Sequence, residues 1–260
     1  MPRAKRIESE TGIYHVLLSG INKQTIFKDE EDNEQFLVTV NQFKKKSGYQ
    51  LLAYCLMGNH IHLLMKTEGE ALGQVFRRIG ASFVYWYNRK YDRMGHLFQD
   101  RFKSEVVETD NYLLTCLRYI HQNPVKAGII EDIESYVWSS YLEYLGIIND
   151  HHVDKDYVLN LFDEDRAKAV ADFKAFHEID NDDQCLDMTD RKRMSDEKAI
   201  HLIKRELPVN SEKDIKNLDP EQKAKCVQVL LKQGLSVRQI SRLTGISRYF
   251  IQPLIQNTVG

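Results

Sequence analysis

Apolar positions in the first 145 residues recur with two different periods. Side chains on a strand alternate between faces, and those on a helix return every three or four residues, so the period identifies the element. The run Ile13–Leu18 predicts a strand, and residues 30–46 predict a helix with Phe36, Leu37, Val40 and Phe43 on one stripe. Two strands follow, 50–57 and 60–66, and the intervening Gly58-Asn59 suits a tight hairpin. A second helix is expected over 71–91, a strand over 102–108, and a third helix capped by Asp110 and running through Gln122, because Pro124 disfavours helical geometry at Asn123. Strands and helices in this order predict an α+β domain with an antiparallel sheet and packed helices.

Beyond Gly146 the pattern changes. Residues 150–177 read as acidic and helical, and 177–195 as a polar, Asp-rich linker. His151 and His152, set among acidic residues, are expected to be exposed. In the tail, Asp219-Pro220 opens a helix to Lys232, Ser236 starts a short one with Val237, Ile240 and Leu243, and Thr244-Gly245-Ile246 makes a turn. Ser247 then caps a last helix with Phe250, Ile251 and Leu254 inward and Arg248, Tyr249 and Gln252 outward, and Pro253 kinks or shortens it. This is a helix-turn-helix pattern, with a small helical bundle for protein contact as its alternative. Three segments are therefore expected: 1–146, an acidic 147–200, and an all-α 201–260.

A formal net charge of −2 would argue against a polyanion partner if charge were evenly spread. It is not: residues 150–200 carry 15 acidic and 8 basic side chains, whereas the last 40 residues hold six basic groups against Glu221 alone. A polyanion would be drawn to the tail and repelled by the middle. Arg77, Arg78, Arg101 and Lys103, interleaved with aromatics such as Phe83, Trp86 and Phe98, are further candidate DNA contacts, as are Arg238, Arg248, Tyr249 and Gln252 in the tail. The alternative places Phe83 and Trp86 in the core and the charges on a solvated face. No apolar stretch suits a signal core or a membrane span, so a cytoplasmic protein is expected, nucleoid-associated when bound to DNA. Cys55, Cys116, Cys185 and Cys226 lack CxxC spacing and are expected to be reduced, mostly structural thiols.

The candidate chemistry lies in two places. His60 and His62, two apart on one strand, can both turn to one cation; Tyr119 and Asn123, four apart on one helix, share a face. Two imidazoles, an amide oxygen and a phenol suffice to polarise a phosphate and attack it. Taken singly, each also has a plain reading: a satisfied core histidine, an amphipathic core tyrosine, a helix-end asparagine.

The wider sequence resembles the REP-associated tyrosine transposases, a branch of the single-tyrosine HUH transposases. The likeness runs through Tyr14-His15-Val16, Ile26-Phe27, Tyr54-Cys55-Leu56-Met57, Asn59-His60-Ile61-His62-Leu63-Leu64, Gly95-His96-Leu97-Phe98-Gln99, Arg101-Phe102-Lys103, Arg118 to Gly128 and Trp138-Ser139-Ser140-Tyr141. It implies a ferredoxin-like HUH core, a divalent ion (Mg2+ or Mn2+) on His60, His62 and Asn123, and Tyr119 as nucleophile. The activity it implies is cleavage and rejoining of single-stranded DNA near hairpins, in repetitive palindromic sequences, through a 5′-phosphotyrosine. Two departures stand out. Gly58 replaces the family's usual proline, and Ser19-Gly20-Ile21-Asn22 replaces an Arg-Gly-Asn, removing a phosphate-contacting arginine. A catalytically silent DNA-binding regulator and a replication or conjugation initiator remain alternatives, as do monomer and homodimer.

Overall fold

The computed structural model describes residues 7–187, 196–207, 209, 211–233, 235 and 237–255. The first compact unit spans 1–188 and the second 189–260. In the first, β1 (Ile13–Ser19), α1 (Glu30–Ser47), β2 (Gln50–Met57), β3 (His60–Lys66), α2 (Leu72–Lys90) and β4 (Lys103–Val106) give the order βαββαβ. The four strands form one sheet in the order β2-β3-β1-β4, every neighbouring pair antiparallel, which is the ferredoxin-like arrangement. The edge strand β4 is shorter than the seven residues expected from its sequence, and its residues are only partly covered.

Alternation within β3 divides the sheet chemically. Ile61, Leu63 and Met65 are fully buried on one face, and Leu18, paired with Ile61, shares that face with Phe76 and Val84 of α2. Helices α1 and α2 join there through the edge-to-face pair Phe36–Phe83, with centroids 5.1 Å apart. Phe83 is thus core, and Trp86 packs partly buried beside it. Each such fully buried side chain contributes roughly 1.5–3 kcal/mol. Helix α1 closes its N-terminus with a capping box, the Asp29 and Asp32 carboxylates each accepting from the other's backbone N–H.

The opposite face is covered by α3 (Asp110–Lys126). Its cap is Thr109 rather than Asp110: the Thr109 hydroxyl accepts the Tyr112 N–H at 3.2 Å. The helix also runs past Gln122, with Pro124 inside its last turn. The proline has no N–H to offer the Ile120 carbonyl, and the turn is closed beyond it by Ala127 N–H to Asn123 O at 2.9 Å.

The unit does not stop at Gly146. The short helices α4 (Tyr141–Tyr144) and α5 (Lys155–Leu159) lead to α6 (Arg166–Glu178), and Val153, Val158, Leu159, Ala169 and Phe173 complete the same apolar core. Phe173 stacks on Tyr144 with centroids 4.7 Å and planes 10° apart. On α6 the acidic Asp172 and Glu178 are exposed while Ala169, Phe173 and His177 are buried, so composition alone suggested a separate segment where a packed helix stands. Residues 179–187 are likewise not a free linker. Asn181 donates to Gln122 at 3.1 Å, and Asp183 pairs with Arg118 at 2.8 Å, so the acidic run lies along the polar side of α3. His152 is half-buried rather than exposed: its ring bonds Asn41, and its backbone N–H donates to the Glu143 carboxylate at 2.9 Å.

The second unit has its own core, with Ile203, Val227, Leu230, Ile240 and Ile251 fully buried. It comprises α7 (Asp196–Glu206), α8 (Pro220–Lys232), α9 (Val237–Thr244) and α10 (Arg248–Ile251), the last followed by a 3-10 turn at Gln252–Ile255. The final helix is short, as Pro253 requires. Ser236 and the side chain of Arg238 lie outside the described residues. Among the described residues no helix is long and apolar enough to cross a membrane.

Candidate active site

The site forms where β3 meets α3. His60 and His62 project from the α3 side of the sheet, and Tyr119 and Asn123 project back from the helix; all four are buried. His60 Nδ1 stands 2.7 Å from Asn59 Oδ1, which fixes the proton there and leaves Nε2 with its lone pair. That nitrogen faces Asn123 Oδ1 at 3.4 Å. The amide is oriented by its other end, which donates to the Tyr119 phenol oxygen. Two acceptor atoms therefore face each other.

His62 contributes a second nitrogen. Its Nδ1 lies 2.9 Å from His15 Nε2, while its Nε2 is buried without a hydrogen-bond partner. His60, His62 and Asp187 each bring one ligand atom within 4.8 Å of the others. Facing lone pairs, an orphaned buried nitrogen and a nearby carboxylate make up a donor set that suits a divalent cation. Burial holds both imidazoles below their usual range and hence neutral, the form that ligates metals; for His62 the neighbouring His15 and His60 add to this.

Tyr119 lies edge-on to His62, centroids 5.9 Å apart, with the Lys126 ammonium 5.2 Å from its ring centre. Burial, followed by the charge of Asp187, which also accepts a hydrogen bond from the phenol, raises its pKa above the ordinary tyrosine range. The resting group is a neutral phenol with a carboxylate against its proton.

Asp187 was not legible in the sequence. It lies 64 positions beyond Asn123, in a stretch whose composition indicates solvent. The polar bonds from α3 to Asn181 and Asp183, and the Leu186 N–H on the Glu105 carboxylate of β4, bring it here. His15 lies within Tyr14-His15-Val16, and the signal it carries is a histidine in an otherwise apolar strand.

The expected DNA contacts divide. Arg77 and Arg101 line a groove of about 760 Å3 with His96, Phe98 and Gln99, and Lys103 is exposed at the start of β4. The groove's loop is tied to the site's strands, Gln99 N–H donating to Ser19 O at 2.8 Å where Ser19 pairs with His60. Arg78 is instead engaged by Glu70 at 2.6 Å and Ser47 at 3.0 Å, because the turn before α2 places a carboxylate beside it. In the second unit Arg248, Tyr249 and Gln252 are exposed.

Of the two departures, Gly20 is tightly enclosed: a Cβ there would stand 2.3 Å from Gln24 O, so only glycine fits. Gly58 supplies the carbonyl that accepts the Ile26 N–H at 2.7 Å, a role that needs no particular side chain.

Residues 9–123 match the family model described as transposase IS200 like. A Haemophilus influenzae protein named as a REP-associated tyrosine transposase is 28% identical over 152 residues, covering 54% of this chain and 86% of that protein. Among solved structures, a REP-associated tyrosine transposase bound to a REP hairpin aligns with a TM-score of 0.49 at 17% identity, over 56% of this chain and 86% of that one. A Deinococcus radiodurans protein described as a transposase aligns with a TM-score of 0.34 at 13% identity, over 43% and 91%.

Proposed function

We propose, from the match of residues 9–123 to the family model described as transposase IS200 like, a single-stranded DNA endonuclease and strand transferase that uses Tyr119 as its nucleophile. The observation that carries the proposal is the convergence of His60, His62 and Asn123 beside one buried phenol. The substrate is single-stranded DNA next to a hairpin, in keeping with a relative named for repetitive palindromes.

His60, His62 and Asn123 would hold the divalent ion, Mg2+ or Mn2+, with Asp187 within reach of the same point. Such an ion, when bound, neutralises charge on the scissile phosphate and orients it. The remaining chemistry belongs to the chain. Tyr119 Oη bonds to phosphorus as the P–O3′ bond breaks, leaving a 5′-phosphotyrosine and a free 3′ end. Asp187, already the acceptor of the phenol's hydrogen bond, takes the proton as the bond forms and delivers it to the 3′ oxygen. Because the phenol holds its proton tightly, transfer accompanies attack rather than preceding it. The covalent link keeps the phosphodiester energy, so attack by another 3′-hydroxyl rejoins strands without a nucleotide cofactor.

Arg77, Arg101 and Lys103 would follow the DNA backbone near the site. Arg248, Tyr249 and Gln252 would form a second, duplex-binding surface. The chemistry belongs in the compartment that holds the chromosome, the cytoplasm.

A hairpin-bearing single-stranded oligonucleotide incubated with the full chain and Mn2+ should give a covalent adduct resolvable on a denaturing gel. Tyr119→Phe should abolish the adduct and retain DNA binding. An adduct that survives the substitution removes Tyr119 from the role. DNA binding by the wild type without any adduct favours a silent regulator.

A further inference from the structure

We infer that Glu105 and His15 are positioning residues that set the tautomer of His62 and so keep its Nε2 open to a cation; this rests on the reading of His60 and His62 as ligands. Glu105 on β4 is the direct cross-strand partner of His15 on β1, and His15 reaches diagonally to His62 on β3. Three strands thus carry an unbroken line: Glu105 Oε2 lies 3.7 Å from His15 Nδ1, and His15 Nε2 lies 2.9 Å from His62 Nδ1. Both rings are fully buried.

A neutral imidazole has one N–H and one lone pair, so the line has only two proton orders. In the first, His62 Nδ1–H donates to His15 Nε2. The His15 proton then sits on Nδ1, facing the carboxylate, and His62 Nε2 offers a lone pair. In the second, His15 Nε2–H donates to His62 Nδ1. The His62 proton then blocks Nε2, and the bare His15 Nδ1 confronts an anion. The charge of Glu105 selects the first order. Its carboxylate is itself held, accepting the Leu186 N–H at 3.0 Å and a hydrogen bond from Tyr112. The 3.7 Å separation is a charge contact rather than a formed hydrogen bond, so the preference comes from the field of the carboxylate. Partners behind a metal-ligating histidine tune its affinity 10- to 100-fold.

The same cluster has a competing use. Cys116 lies within reach of His15 and Glu105, and an ion on those three would need the His15 Nδ1 lone pair. That forces the second order and closes His62, so the two uses are mutually exclusive.

Calorimetric titration of the full chain with Mn2+ separates these cases. Wild type should bind; Glu105→Ala and His15→Phe should bind about tenfold or more weakly, and Glu105→Gln, which keeps an acceptor oxygen, should recover part of the loss. Unchanged affinity in a folded Glu105→Ala protein overturns the relay. If wild type binds no Mn2+, the ligand reading fails on its own. The relay is then decided by long-range 15N spectra of the metal-free protein labelled at histidine. Nδ1–H on both His15 and His62 is the expected result, and Nε2–H on His62 overturns it, as does a thiolate-to-cobalt absorption band that vanishes in Cys116→Ala.

Discussion

His121 Nδ1 and His177 Nε2 lie 3.0 Å apart in a buried chain from the Phe173 carbonyl, 2.9 Å from His177 Nδ1, to the Ser140 hydroxyl, 2.7 Å from His121 Nε2. Both rings are buried away from water, which disfavours a charge on either. Desolvation, aided by the Arg118 charge, lowers the His177 pKa to about 4, and burial also lowers His121.

The pH dependence follows from that shift. Above pH 6.5 neither folded nor unfolded chain holds a proton at His177. Below it the unfolded chain takes one up and the native state does not, so stability falls until the pH reaches the folded pKa. The window from 6.5 to about 4 corresponds to a loss on the order of 3 kcal/mol from His177. Urea denaturation at pH 7 and pH 4.5 should show the loss, and a His177→Asn protein, weaker at pH 7, should lose less on acidification. Equal losses would exclude His177 as the cause.

Ligand binding to the native state should be visible without DNA. Saturating Mn2+ at about 100 times its dissociation constant should stabilise the wild-type chain by about 2.7 kcal/mol, and chelation should reverse it. His62→Ala should abolish the thermal shift and Asn123→Ala should reduce it. A shift of wild-type size in the His62 variant would place the ion elsewhere.

The extent of the first unit can be tested by truncation. Phe173→Ala removes a fully buried ring stacked on Tyr144 and should cost about 3–5 kcal/mol. A fragment ending at 146 should melt well below one ending at 188, because it uncovers the apolar surface under α6. Equal melting temperatures would show that α6 contributes nothing to the unit's stability.

The DNA surfaces should separate by salt response. Arg101→Ala should weaken single-stranded binding and lower the slope of log affinity against log salt by about 0.7. Arg248→Ala combined with Tyr249→Ala should affect duplex binding alone. Loss of both kinds of binding in one variant would mean a shared surface.

The βαββαβ order, and the shared faces of His60 with His62 and of Tyr119 with Asn123, were legible because they rest on period, and period survives in a single sequence; that the two pairs meet was implied only by the family resemblance. The reach of α3 was misread at Pro124, because the Ala127 N–H to Asn123 O bond carries the helix past the proline and a single sequence does not reveal that bond. Residues 150–187 were misread for a different reason: Asp183 and Asn181 find partners on α3 far away in sequence, and composition carries no record of such distant pairings. Asp187 and Glu105 went unseen on the same ground, being acidic residues whose neighbours are set by tertiary structure alone.

The hydrogen bonds tying residues 179–187 to α3 bear on how this protein can be handled in the laboratory. The segment 179–187 also furnishes a wall of the candidate site, ending at the carboxylate that touches the phenol. A tag, protease site or flexible spacer inserted between Ile179 and Asp187 would therefore alter the candidate site itself, and fusions that leave its geometry intact have to be joined farther along.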